Sequence, residues 1–171
     1  MRDLISVLNL VFCLFFTLGL VDVQSQMIAV CPDYSVSYHG SCYIFGFGQT
    51  MLVHQADKFC RDNHDGHVVE VNTRNESSFL KNYMNRLPRT ENYWLGMTDE
   101  RTEHEWRWFN TDTQVSVFDW SPGDPDNVPT DEDCAIFWSD AGYKWADVPC
   151  STFKAEPVCE LSLLDETEII G

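Results

Sequence analysis

Apolar and polar positions change rhythm several times along the chain. Residues 4–21, LISVLNLVFCLFFTLGLV, are almost wholly apolar and give way to polar VQSQ. From 31 to 46, CPDYSVSYHGSCYIFG alternates aromatic and polar positions around His39-Gly40, the pattern of a β-hairpin with a tight turn, framed by its two cysteines. The period then lengthens. Ala56, Phe59 and Cys60 fall on one face of a helix expected from about Thr50 to Asn63. Thr73-Arg74-Asn75-Glu76 has the form of a capping box. Phe79, Leu80, Tyr83, Met84 and Leu87 follow it at helical spacing, as far as Pro88, which stops the helix.

After Pro88 the pattern shortens to aromatic strands: YWLGM at 93–97, EWRWF at 105–109, CAIFW at 134–138, KWADVPC at 144–150 and EPVCEL at 156–161. Helices first and strands later predict an α+β domain with antiparallel sheet. The tryptophans Trp94, Trp106, Trp108 and Trp145 are its expected core. Between the strands lies a long irregular stretch, about 110 to 133, and loops of that length are functional or disordered. There is no internal repeat and no low-complexity linker.

The apolar run follows a short basic start, Met1-Arg2, and precedes small residues at Val23 and Ser25. This is the layout of a secretory signal peptide, with cleavage expected after Ser25. An uncleaved anchor competes, since the run nearly spans a bilayer, but no basic stop-transfer flank follows. The expectation is a secreted, soluble product: signal peptide 1–25, one domain over 26–160, and a frayed acidic tail over 161–171. That length suits a single domain with a core of its own. Cleavage would remove Arg2, Asp3 and Asp22, leaving 10 basic and 25 acidic residues and a net charge of −15. Nucleic acid and membrane insertion are poor prospects for such a chain; cations, basic proteins and mineral surfaces are better ones. Cys13 leaves with the signal segment. The remaining cysteines, 31, 42, 60, 134, 150 and 159, imply three disulfides in a secreted chain, among fifteen possible pairings. No Cys-x-x-Cys pair suggests zinc, and His39, His54, His64, His67 and His104 show no metal-ligand spacing.

The end of the irregular stretch, PGDPDNVPTDEDC at 122–134, crowds Asp124, Asp126, Asp131, Glu132 and Asp133 beside Pro122, Pro125 and Pro129. Carboxylates this close resist ionising together. The loop is open and solvated, or two carboxylates share a proton, or a cation sits among them.

In order along the chain, Cys31 and Cys42, Ala56-x-x-Phe59-Cys60, Trp94-Leu95-Gly96, Trp120-x-Pro122-Gly123, Glu132-Asp133-Cys134, Trp145-x-Asp147 before Cys150, and Cys159-Glu160 resemble a C-type lectin-like domain of the long form. The texture is similar to small secreted invertebrate lectins of the perlucin-like kind. The resemblance implies two helices, antiparallel sheets and the pairing Cys31–Cys42, Cys60–Cys159 and Cys134–Cys150. It also implies that the crowded loop binds Ca²⁺, an ion that takes six to eight oxygen ligands and would relieve the repulsion. By position, Asp124 and Asp126 flank Pro125 where the family carries its sugar-reading pair around a cis proline. Glu132 and Asp147 complete that main calcium and carbohydrate-binding site. Asp99, Glu103, Asn127 and Asp133 match an auxiliary calcium site.

Two departures from the family pattern matter. Ala146 stands where the family has the asparagine of Trp-Asn-Asp, and Asp-Pro-Asp offers acceptors on both sides of the proline. In the family's mode, each sugar hydroxyl donates to a carboxylate and accepts from an amide; no amide of the usual set remains here. A lost hydrogen bond of that kind costs roughly 1–3 kcal/mol. Asp126 leans toward the galactose type over the mannose type. Val128 stands where that type places a stacking ring; Trp138 or Tyr143 could substitute, though both also suit core or strand positions.

The resemblance therefore implies a secreted, calcium-dependent carbohydrate-binding protein recognising microbial or cell-surface glycans in innate immunity. The alternative is a lectin-like domain without sugar binding, engaging a protein or a mineral or extracellular-matrix surface. Catalysis by paired carboxylates would need one acid held neutral in an apolar pocket; this loop is polar and there is no nucleophile elbow or phosphate loop, so no enzyme is expected. Asn75-Glu76-Ser77 is an N-glycosylation acceptor.

Overall fold

A computed structural model describes residues 31–163 except 47, 129 and 130. The expected signal segment, Pro129 and most of the expected tail lie outside the described residues. The hairpin forms as the alternation predicts: β1 (Val36–Tyr38) pairs antiparallel with β2 (Ser41–Phe45). Its turn residues His39 and Gly40 both have positive φ, 47° and 90°, the conformation that matches strand twist in two-residue hairpins and that glycine adopts at no steric cost.

Helix α1 spans Val53–His64. It starts later than expected because Met51 is extended, exchanging backbone hydrogen bonds with Ala155 at 3.0 and 3.2 Å. A two-residue strand β3 (His67–Val68) follows, which the sequence pattern did not reveal. Helix α2 spans Arg74–Met84. Thr73 Oγ1 accepts from Glu76 N–H at 3.1 Å, as the capping motif predicts. The return bond differs: Glu76 Oε2 accepts from Asn72 N–H at 2.8 Å, and its other oxygen takes the Tyr43 hydroxyl at 2.7 Å. The helix ends at Met84, ahead of Pro88, in a tightened turn whose Leu87 N–H reaches Met84 O at 3.1 Å.

The remaining strands are β4 (Tyr93–Thr98), β5 (Arg107–Trp108), β6 (Cys134–Trp138), β7 (Lys144–Val148) and β8 (Val158–Ser162). They build two antiparallel sheets, ordered β1-β2-β8-β3 and β5-β4-β6-β7. β8 lies along β2, so the two ends of the domain are neighbours, and the strand carries on through Leu161 and Ser162 into the expected tail. Gly96 in β4 is required by close approach: a Cβ there would stand 2.5 Å from Val68 O.

The second sheet divides the core by its pleat. Tyr93, Leu95, Met97, Phe137 and Trp145 face α2's Leu80 and Met84. Trp94, Ile136, Ala146 and Val148 face the other way, toward α1's Val53, Ala56 and Cys60. All four tryptophans expected in the core are at most 4 % exposed. Truncating a side chain such as Leu80 to alanine in such a core costs about 2–5 kcal/mol. The three disulfides are Cys31–Cys42, Cys60–Cys159 and Cys134–Cys150, the pairing the resemblance implies.

Candidate functional site

The long irregular stretch is stitched onto β7. Trp145 N–H donates to Asp119 O at 2.9 Å and Ser121 N–H donates to Trp145 O at 2.8 Å. Trp120 packs between Trp106 and Trp145, with ring centroids 5.0 and 5.9 Å away. Asp119 fixes the stretch to two elements at once: Lys81 of α2 and Lys144 of β7 both donate to it, the latter at 3.0 Å. The chain then turns at Gly123 (φ 109°), and the Asp124-Pro125 peptide is cis. Residues 124–127 come to lie beside Asp147 on β7.

There the carboxylates converge. Oxygens of Asp124, Asp126 and Asp147 lie within 4.8 Å of one another. Asp147 is buried and accepts from Asp126 N–H at 3.0 Å and Asn127 N–H at 2.7 Å. Val128 N–H is shared between Asp126 Oδ1 at 3.1 Å and Glu132 Oε2 at 3.0 Å, and the Ser121 hydroxyl donates to Asp124. The loop thus folds its backbone donors inward onto its acids. Among the described residues no lysine or arginine forms an ion pair with any of these four. Burial, then the Asp147 and Asp126 charges, pushes the Asp124 carboxyl up. Burial and the Asp147, Asp126 and Asp124 charges push Glu132 up to about 6.

The residues of the expected auxiliary site share a second neighbourhood. Asp99 is 3 % exposed at the end of β4. Its Oδ2 accepts from His104 N–H at 2.9 Å, while buried Oδ1 has no hydrogen-bond partner among the described residues. Burial, with the Glu103 and Asp133 charges, raises its pKa. Asp133 is raised by burial and by Glu103, Glu100 and Asp131. Asn127 Nδ2 donates to Glu103 Oε2 at 3.0 Å, and its Oδ1 accepts from Asp131 and Glu132 N–H at 3.0 and 3.1 Å. Asn127 therefore braces the two acidic neighbourhoods against each other. His104 is exposed, as a surface histidine should be, yet it also stands within ligand distance of Asp99 and Glu103. Its backbone is left-handed, φ 66°, and residue spacing did not signal its placement.

A cavity of about 320 Å³ opens beside the main acids, with Ile136, Trp138, Ala146 and Phe153 on its wall, within the size range of small-ligand sites. The two rings considered from the sequence separate here: Trp138 is 37 % exposed and lines the cavity, whereas Tyr143 is 3 % exposed in the core. Asn92 and Phe153 also reach the cavity and carry no motif that would announce them. A second cavity, about 350 Å³, lies away from the loop beside Tyr43, Glu76 and Glu160.

A family model for the lectin C-type domain matches residues 49–161. The chain is 33 % identical over 131 residues to a perlucin-like protein of Mytilus galloprovincialis, covering 75 % of this chain and 81 % of that one. It is 35 % identical over 127 residues to a hepatic lectin of Gallus gallus, covering 74 % of this chain and 57 % of that one. The carbohydrate-recognition domain of the mouse scavenger receptor C-type lectin superposes with a TM-score of 0.70 at 28 % identity, covering 79 % of this chain and all of that one. With the fold, the disulfide frame and these likenesses in agreement, the chain belongs to the C-type lectin domain family, whose members are non-enzymatic carbohydrate-binding proteins.

Proposed function

We propose that this protein is a secreted, calcium-dependent lectin for glycans of microbial or cell surfaces. Its main site is assigned to Asp124, Asp126, Glu132 and Asp147, and an auxiliary calcium site to Asp99, Glu103, Asn127 and Asp133. The observation that carries the reading is the convergence of Asp124, Asp126 and Asp147 within 4.8 Å at the mouth of a cavity, with no cationic side chain among the described residues on its wall. The donor set fits Ca²⁺: all-oxygen and partly buried, with Asp124 and Glu132 pushed up by burial and by the neighbouring carboxylates. The orphaned Asp99 Oδ1 fits a cation at the auxiliary site in the same way. Bound Ca²⁺ supplies charge neutralisation and coordination positions for vicinal hydroxyls. The chain's own carboxylates accept hydrogen bonds from those hydroxyls, and the loop's backbone donors hold the carboxylates in place.

The perlucin-like and hepatic lectin relatives support sugar binding as the use of the site. The galactose type is favoured over the mannose type by Asp126 and by the exposed ring of Trp138. Asn75, exposed in the first turn of α2, is assigned an N-linked glycan. A second reading draws on Ala146, which lines the cavity with no amide to offer: a calcium-holding domain that binds a protein or a mineral surface instead. Retention on galactose- and mannose-agarose decides between them. Retention in Ca²⁺ and release by EDTA is expected; passage through both resins in Ca²⁺ contradicts the lectin reading.

A further inference from the structure

A sugar hydroxyl is both donor and acceptor, whereas a carboxylate only accepts. Asp124, Asp126, Glu132 and Asp147 can therefore satisfy hydroxyl hydrogens and leave hydroxyl lone pairs without a side-chain donor. One unused donor lines the same cavity. Asn92, just before β4, accepts from both the backbone N–H and the hydroxyl of Ser139 through Oδ1, each at 2.9 Å. A backbone N–H can only donate, so the amide oxygen is committed to Ser139. The Asn92 NH₂ group has no hydrogen-bond partner among the described residues.

The apolar wall is equally specific. Ile136 and Trp138 lie on one face of β6, and Ala146 stands opposite Ile136 on β7. Phe153 packs edge-on against Trp94, centroids 5.9 Å apart, behind them. Ala146 and the Trp138 ring line the same cavity as the acids. A pyranoside has one face of C–H groups that suits an aromatic ring, and a rim of hydroxyls that needs donors and acceptors together.

We infer that Asn92 and Trp138 are carbohydrate-contacting residues that complete the site: the Asn92 amide donates to a sugar hydroxyl, and the Trp138 indole covers the sugar's C–H face. The pair supplies, from the residue preceding β4 and from β6, the donor and ring that positions 146 and 128 lack. The ring contributes more with a galactoside, whose axial 4-hydroxyl leaves one face uninterrupted by oxygen. This inference rests on the lectin reading.

The test titrates the full-length protein, in saturating Ca²⁺, with methyl galactoside and methyl mannoside. Calcium affinity is measured separately without sugar. Asn92→Asp keeps the acceptor for Ser139 and removes the donor; it should weaken sugar binding about tenfold while calcium affinity does not fall. Trp138→Ala should weaken galactoside binding about tenfold, and Trp138→Phe should restore most of it. The tryptophan fluorescence change on adding sugar should vanish in Trp138→Phe even though binding persists. Wild-type sugar affinity in both Asn92→Asp and Trp138→Ala overturns the inference and leaves the lectin reading intact. Loss of calcium and sugar affinity together in these variants also overturns it, assigning the two residues to the fold. A wild-type protein that binds Ca²⁺ but neither glycoside overturns the lectin reading itself.

Discussion

At the scale of the residue, the weight falls on Ala146 and Glu132. Ala146 is 6 % exposed on the cavity wall beside Asp147. Ala146→Asn adds an amide at that place and should tighten binding of simple sugars about tenfold, as one good hydrogen bond does. An unchanged glycoside titration, with calcium retained, would instead favour a protein or mineral partner. Burial and the neighbouring carboxylates push Glu132 up from its ordinary 4.5 to about 6 in the metal-free fold. The folded state thus holds this proton more tightly. The resulting stabilisation is complete below the unfolded value and is lost as pH rises through about 6. In EDTA, Glu132→Gln should melt higher than wild type at pH 7.5, with the gap closing toward pH 4.5; a lower melting temperature at pH 7.5 contradicts this. Asp124, Asp126, Glu132 and Asp133 were legible as a crowded run of carboxylates, whereas Asp147, Asp99 and Glu103 came only from the family resemblance. Asn92 and His104 were legible in neither way, because their relation to the acids exists only after β4, β6 and the 99–104 turn are folded together.

Elements meet at Asp119. It joins α2 through Lys81 and Ser77, and β7 through Lys144, so the loop that carries Asp124 and Asp126 is hung from two separate parts of the fold. Burial opposes its charge, but Lys81 and Lys144 hold the carboxyl below the usual aspartate range. Its contribution is therefore present above the ordinary aspartate value of 3.8 and is lost as pH falls through the folded one. Asp119→Ala should cost about 2 kcal/mol in urea unfolding at pH 7 and lower calcium affinity as the loop loosens; unchanged stability and affinity would show that the tryptophan contacts alone fix the loop. Strands with many consecutive aromatic and aliphatic residues, such as CAIFW, were legible to the residue. β5 lies inside the expected EWRWF strand, shortened to Arg107 and Trp108, whereas the two-residue β3 was not legible, since so short a run has no period to detect. The start of α1 was misplaced because pairing of Met51 with Ala155, a tertiary contact, overrode local helix preference. Trp138 and Tyr143 look alike in sequence. The left-handed turn at Gly142 and Tyr143, φ 65° and 61°, belongs to the segment that seats the Tyr143 ring in the core, while Trp138 ends its strand on the outer face.

The whole molecule is a domain closed end to end by β2 against β8 and by Cys60–Cys159, which links residues 99 apart. In the chain-entropy view such a loop is worth about 4–5 kcal/mol. Replacing both cysteines by serine should lower unfolding free energy by that order, and a loss below about 1 kcal/mol would mean that strand pairing alone sets the closure. The disulfide pairing came from the family resemblance, since six cysteines by themselves left it open. The α+β class came from the residue pattern. What neither could supply was the cavity, which forms where the loop, β6 and β7 converge. The central claim is that these acids hold Ca²⁺ for a sugar. It is tested most directly by titrating Ca²⁺ into the metal-free protein by calorimetry, alone and with galactose or mannose present. The account predicts that Ca²⁺ binds and that a sugar, galactose before mannose, tightens it. No calcium binding at millimolar concentrations, or binding that neither sugar alters, would contradict it.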